Sequence, residues 1–159
     1  MDVKYINPFI EAVHTVFSTM IKTEVALGQP HIAGENTKYN ISGIIGMSGD
    51  VVGSIVLSFP TPVAKVVIGR FAGQEIAPES PDFADAIGEL INMISGVAKA
   101  KFEGKNVSIS TPSVVMSSGH TVAKTSNPVC IHLPCKIFCG DFGIYIAIRE
   151  ELKASRVAA

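Results

Sequence analysis

Residues 38–59 read KYNISGIIGMSGDVVGSIVLSF, two runs rich in strand-forming side chains on either side of Ser48-Gly49-Asp50. Glycine and aspartate between such runs are turn chemistry, so the stretch predicts a hairpin with strands at 38–47 and 51–59. A helix is expected before it. Asn7-Pro8 reads as an N-cap and first helical residue, and Phe9, Ile10, Val13, Val16, Phe17, Met20 and Ile21 recur at helical spacing to about residue 25. Gly28, Pro30 and Gly34 break the chain in between.

The second half follows the same order. Thr61-Pro62 caps a short helix ending near Gly73, and Ser80-Pro81-Asp82 caps a longer one running to about Gly104. Strand-like stretches follow at 106–118, 128–139 and 143–149, the last two joined around Gly140-Asp141, with a polar loop at Ser117 to Asn127. Gly49-Asp50-Val51-Val52-Gly53 resembles Gly140-Asp141-Phe142-Gly143 with one residue of slack, and Asn7, Glu11 and His14 share the spacing of Asp85, Glu89 and Asn92. The expected fold is therefore α+β: a pseudo-symmetric repeat of long helix plus β-hairpin, giving an antiparallel sheet with helices packed on one face.

Length and composition narrow the partners. A chain of 159 residues with 47% hydrophobic side chains supplies the core of one domain spanning 1–159, with about 150–159 as a C-terminal tail. A net charge of −1 argues against nucleic acid or an anionic membrane as partner. No apolar run approaches the roughly 20 residues that span a bilayer. Three cysteines, Cys130, Cys135 and Cys139, with no signal peptide before them, read as reduced thiols of a cytoplasmic protein.

On the helix opened by Pro81, successive residues turn by about 100°. Phe83, Ile87, Leu90, Ile91, Ile94 and Ala98 then fall on one stripe, the expected buried face. Asp82, Asp85, Asn92, Gly96 and Glu103 fall near Glu89 on the other. Every surface helix needs a polar face, so periodicity alone assigns this stripe to solvent. Asparagine, however, is a poor helix-interior residue, and Gly88 and Gly96 each cost about 1 kcal/mol relative to alanine. Small residues beside a carboxylate and an amide suit a helix that another protein approaches closely.

Asp85-Ala86-Ile87-Gly88-Glu89-Leu90-Ile91-Asn92 resembles the signature of the CheX/CheC chemotaxis phosphatases: Asp or Ser, three residues, Glu, two residues, Asn, and a later Pro, here Pro112. Ile6-Asn7-Pro8-Phe9-Ile10-Glu11 and Gly43-Ile44-Ile45-Gly46-Met47-Ser48-Gly49 extend the resemblance over nearly the whole chain. It implies an aspartyl-phosphate phosphatase acting on a phosphorylated CheY-type response regulator. Asn92 would position the attacking water and Glu89 would anchor a lysine of the partner, with Asp85 and Gly96 as further partner contacts. Mg²⁺ would be held by the receiver rather than by this chain, and a homodimer is implied. Only Glu11 of the first helix matches that pattern, since His14 stands in place of the asparagine and Asn7 is committed to capping, so one active site per chain is expected. The alternative is a non-enzymatic module that binds receivers or adaptors.

Cys130, His132, Cys135 and Cys139 raise the question of zinc, which takes four such ligands. On a strand, 130 and 132 face one side and 135 and 139 the other unless Pro134 marks a bulge, so no metal site is assigned. His14, His31 and His120 read as solvated, the last two in loops. Neither a phosphate-binding glycine loop nor a Gly-x-Ser-x-Gly elbow occurs in the sequence.

Overall fold

The structure is a computed structural model and describes residues 3–34, 37–123 and 127–151. Helix α1 spans Val3–Val16 and continues as a π-helical turn, Phe17–Ile21, that stops at Lys22 in the left-handed conformation (φ 58°). Pro8 thus lies inside the helix rather than opening it, and Asn7 does not cap. Burial wins over the proline penalty. Tyr5 and Ile6, upstream of Pro8, are enclosed in the core, and the Tyr5 ring packs edge-on against Phe102 at 5.2 Å.

Two short strands follow that the glycines and proline of this region conceal in the sequence: β1, Ala26–Leu27, and β2, His31–Ile32. The hairpin comes next as β3, Tyr39–Gly49, and β4, Val51–Phe59. Helix α2, Thr61–Ala72, begins at Pro60, and its first amide, Thr61 N–H, donates to the Asn40 side-chain oxygen at 3.0 Å. Helix α3, Pro81–Lys99, ends five residues short of Gly104, because Phe102 folds back into the core beside Tyr5 and Phe9. The run at 106–118 is two strands, β5, Val107–Ile109, and β6, Ser113–His120, parted by Ser110 to Pro112. Strand β6 therefore takes the first residues assigned above to a loop. Strands β7, Ile131–Ile137, and β8, Gly140–Glu150, meet at a turn of Phe138 and Cys139, just ahead of Gly140-Asp141. Of the expected tail, residues 152–159 lie outside the described residues.

All described strand pairs are antiparallel, in the order β1-β7-β8-β4-β3-β5, with β2 also on β7 and β6 also on β3. Alternation along β8 divides the sheet's faces: Ile144, Ile146 and Ile148 join the main core under the helices, whereas Tyr145 and Ala147 face a smaller cluster with Ala33, Tyr39 and Cys130. The helices cover one face, as expected. Apart from α2, element order runs helix, two strands, hairpin in each half, and each half's first two strands lie against the other half's hairpin. Order alone does not establish that the halves are equivalent.

Candidate functional site

Ser80 starts α3 by accepting the Asp82 amide hydrogen at 3.3 Å, with Pro81 in the first turn. Burial then fixes the helix's rotation. Phe83, Ile87, Leu90, Ile91, Ile94 and Ala98 have no exposed surface. Asp85 and Glu89 are consequently turned to solvent, and Asn92 and Gly96 stand half-buried along the same stripe. Glu103 lies past the helix end at Lys99 and is not part of it.

The two glycines separate in meaning. Gly88 is buried, because Pro112 lies over it: a Cβ there would sit 3.1 Å from Pro112 Cγ and 3.8 Å from a Val114 methyl. Its small size serves the approach of the β5–β6 connection rather than of another protein. Gly96 is the open one, with nothing within 4 Å of a Cβ built on it. Pro112 thus covers Gly88, one turn before Asn92 on the same helix.

Among the described residues, no side-chain hydrogen bond or ion pair engages Asp85, Glu89 or Asn92. A carboxylate and a neutral amide one turn apart are thus available to groups outside the chain: the carboxylate to a cation, the amide as both donor and acceptor. On α1, Asn7, Glu11 and His14 are also exposed, but Glu11 is paired with Lys101 at 3.0 Å. The same spacing carries different chemistry in a different state of engagement.

The remaining candidates are structural. The β7–β8 register runs without a bulge through Pro134, so Cys130 and Cys135, each 2% exposed, face opposite sides of the sheet. Burial pushes both thiols above the usual range. Cys139 sits in the turn, and no group of three or more His, Cys, Asp or Glu among the described residues could hold a metal ion. Neither His31 nor His120 is a free loop residue. His120 hydrogen-bonds through Nε2 to Ser42 Oγ at 2.7 Å and through Nδ1 to Ser117 Oγ at 2.6 Å, and Ser42 bonds onward to Ser58 at 2.7 Å, which pins the end of β6 to the first hairpin. His31 lies on β2 with its ring 4.9 Å from that of His132. Sequence spacing gives no hint of the Ser42–His120 or His31–His132 contacts, since these partners come from distant strands.

A family model described as chemotaxis phosphatase CheX matches residues 41–136. The sequence is 30% identical over 155 residues to the CheY-P phosphatase CheX of Thermotoga maritima, covering 94% of this chain and 99% of that protein. A CheC-like superfamily protein from Shewanella superposes with a TM-score of 0.86 at 31% identity, over 94% of this chain and 99% of the other. The CheX of Borrelia burgdorferi, solved as a complex with CheY, BeF3 and Mg²⁺, shares the fold with a TM-score of 0.70 at 20% identity, over 92% of this chain and 98% of that one.

Proposed function

The chain belongs to the CheX family of chemotaxis phosphatases, and from that membership we propose that it hydrolyses the aspartyl phosphate of a CheY-type response regulator. The observation that carries the reading is the α3 stripe, where Glu89 and Asn92 stand together, exposed or half-exposed and without partners among the described residues, inside the segment that matches the family. Water forms a bond to phosphorus as the bond to the aspartyl oxygen breaks, the electrons leaving with the carboxylate; the products are inorganic phosphate and a free aspartate. A carboxylate leaves readily, so the phosphatase has chiefly to position the water. Asn92 does so without placing negative charge beside the phosphoryl group. Glu89 anchors a lysine of the receiver, with Asp85 a turn earlier and the bare backbone at Gly96 two turns later completing the contact. The receiver brings its own Mg²⁺. The protein acts in the cytoplasm, as a homodimer.

Timed phosphate loss from a phosphorylated receiver tests this. Asn92→Ala lowers turnover by roughly 10²-fold while leaving complex formation intact. Glu89→Ala weakens the complex as well, and the wild-type affinity it removes falls with rising salt. Wild-type turnover in Asn92→Ala overturns the assignment. A wild-type protein that binds the receiver without hastening phosphate loss reduces it to an interaction module.

A further inference from the structure

Strand β2 is attached to the sheet by little. It is two residues long, with His31 and Ile32 opposite His132 and Ile131 on β7, and a bond of 2.8 Å from the Ala33 amide to the Cys130 carbonyl continues the pairing. Both of its side chains are exposed, Ile32 by 66%. The pairing nevertheless crowds an ionisable group. The His132 ring is stacked flat on Tyr145, with centroids 4.5 Å apart and planes 1° apart, and the His31 ring meets it at 4.9 Å. His132 Nε2 is enclosed and has no hydrogen-bond partner among the described residues.

An imidazolium carries hydrogen on both nitrogens, so the charged ring puts an N–H at Nε2, where nothing accepts it, whichever tautomer the neutral ring adopts. That nitrogen lies over Gly143, 2.9 Å from where a Cβ would stand, beside a Tyr39 hydroxyl already engaged with that of Tyr145 at 2.9 Å. On the side of β2, His31 Nδ1 donates to the Gln29 carbonyl at 3.0 Å, so this ring offers His132 a neutral edge or, once charged, a like charge. Burial raises the pKa of Tyr39, Tyr145 and Cys130, which stay neutral, and Lys136 and Asp141, which line a cavity together with His132, are cross-strand partners of opposite sign. Burial first and His31 second hold the His132 pKa below its ordinary value. A ring that takes its proton only on reaching water favours the closed form fully above about pH 6.5, and that preference is lost as pH falls below it. To reach water the ring has to turn away from β8, into the space that His31 occupies. Strand β7 is paired with β8 at seven successive positions and with β2 at two, so β2 is the neighbour that gives way.

We propose that β2 is a pH-operated flap: when His132 takes a proton, β2 leaves β7 while the remainder of the fold stays closed, baring the β7 edge at Ile131 and His132. The device is separate from α3 and does not depend on the phosphatase reading. Hydrogen exchange of the full chain, followed residue by residue by NMR and expressed as protection relative to the free-chain rate at each pH, tests it. Between pH 7.5 and 5.0 the protection of the Ala33 amide falls about tenfold or more, the limit being about tenfold per pH unit for one proton taken up on opening, whereas Ile146 in the middle of β8 keeps its protection. In the same samples the His132 ring resonances titrate together with that fall. His132→Phe keeps a flat ring on Tyr145 and holds the protection of Ala33 constant across the range. Protection at Ala33 that is flat in the wild type, that falls equally at Ile146, that falls without the His132 ring titrating, or that still falls in His132→Phe overturns the proposal.

Discussion

Gly88 and Gly96 are eight residues apart on one helix, and their surroundings predict opposite outcomes of substitution. Gly88→Val drives a branched side chain into Pro112, already 3.1 Å from where a Cβ would stand, and overpacking of this kind costs about 1–3 kcal/mol. The thermal midpoint falls, and because the strain is set one turn from Asn92 on the same helix, phosphatase turnover is expected to fall with it. Gly96→Ala meets no atom within 4 Å and removes a helix-interior glycine, so the fold gains about 0.5–1 kcal/mol, while on the proposed contact at Gly96 the receiver is expected to bind less tightly. Thermal melts paired with receiver titration on both variants separate the two roles. The sequence makes both glycines conspicuous as departures from helix propensity. It does not say which of them is covered, since Pro112 reaches Gly88 only through the β5–β6 connection, and no local pattern carries a contact of that range.

Among the elements, α3 was the most legible, because a capping serine, a proline in the first turn and a strict apolar stripe all specify the same rotation of one helix. Helix α1 was legible in its middle and misleading at its start, where Asn7-Pro8 mimics a cap and tertiary burial of Tyr5 and Ile6 overrides it. Strands β1 and β2 are two residues each and present no periodicity to read; they exist because β7 offers them an edge. The α1 residues that echo the α3 spacing are expected to be dispensable. Glu11 is already paired with Lys101 across an exposed surface, an interaction worth at most about 1 kcal/mol, and the imidazole of His14 does not reproduce the geometry of an amide. Glu11→Ala combined with His14→Ala therefore leaves turnover near the wild-type rate, whereas a large loss in a folded protein means that α1 carries a working site of its own. Strand β6 bears on self-association. Among the described residues it pairs only with β3, and Val115 and Met116 are each 41% exposed along it, an edge open to a second copy. Strand β7, by contrast, has both edges taken, by β8 and by β1 with β2. Light scattering at micromolar concentration gives twice the chain mass, and Met116→Pro, which places a proline on the open edge, returns it to that of the monomer.

Across the whole molecule, Glu150 at the end of β8 gathers distant parts of the chain. Its carboxylate accepts the Tyr5 hydroxyl proton and pairs with Lys4 at 2.9 Å and Lys105 at 3.5 Å, joining the start of α1 and the segment after α3 to the sheet. The Tyr5 hydroxyl first, then Lys4, lower its pKa from 4.5 to about 2. A depressed carboxyl pKa stabilises the fold above the unfolded-state value and loses that contribution as pH falls through the folded one. The stability difference between wild type and Glu150→Gln is accordingly full above about pH 4.5 and disappears toward pH 2, and salt shrinks it at neutral pH because the group is open to solvent. Denaturant melts across that pH range check the sign. The strand order has its own consequence for how the chain comes to be folded. Strands β1 and β2 lie on the β7–β8 hairpin and β5 and β6 on the β3–β4 hairpin, and the two hairpins meet at β4 and β8, about a third of the way along the sequence and near its end. Neither half emerging from a ribosome can complete its own sheet. A chain severed between α2 and α3 leaves each piece with strands whose sheet partners lie on the other, so the linker at 73–80 is where this protein divides into fragments that complete one sheet only when brought into company.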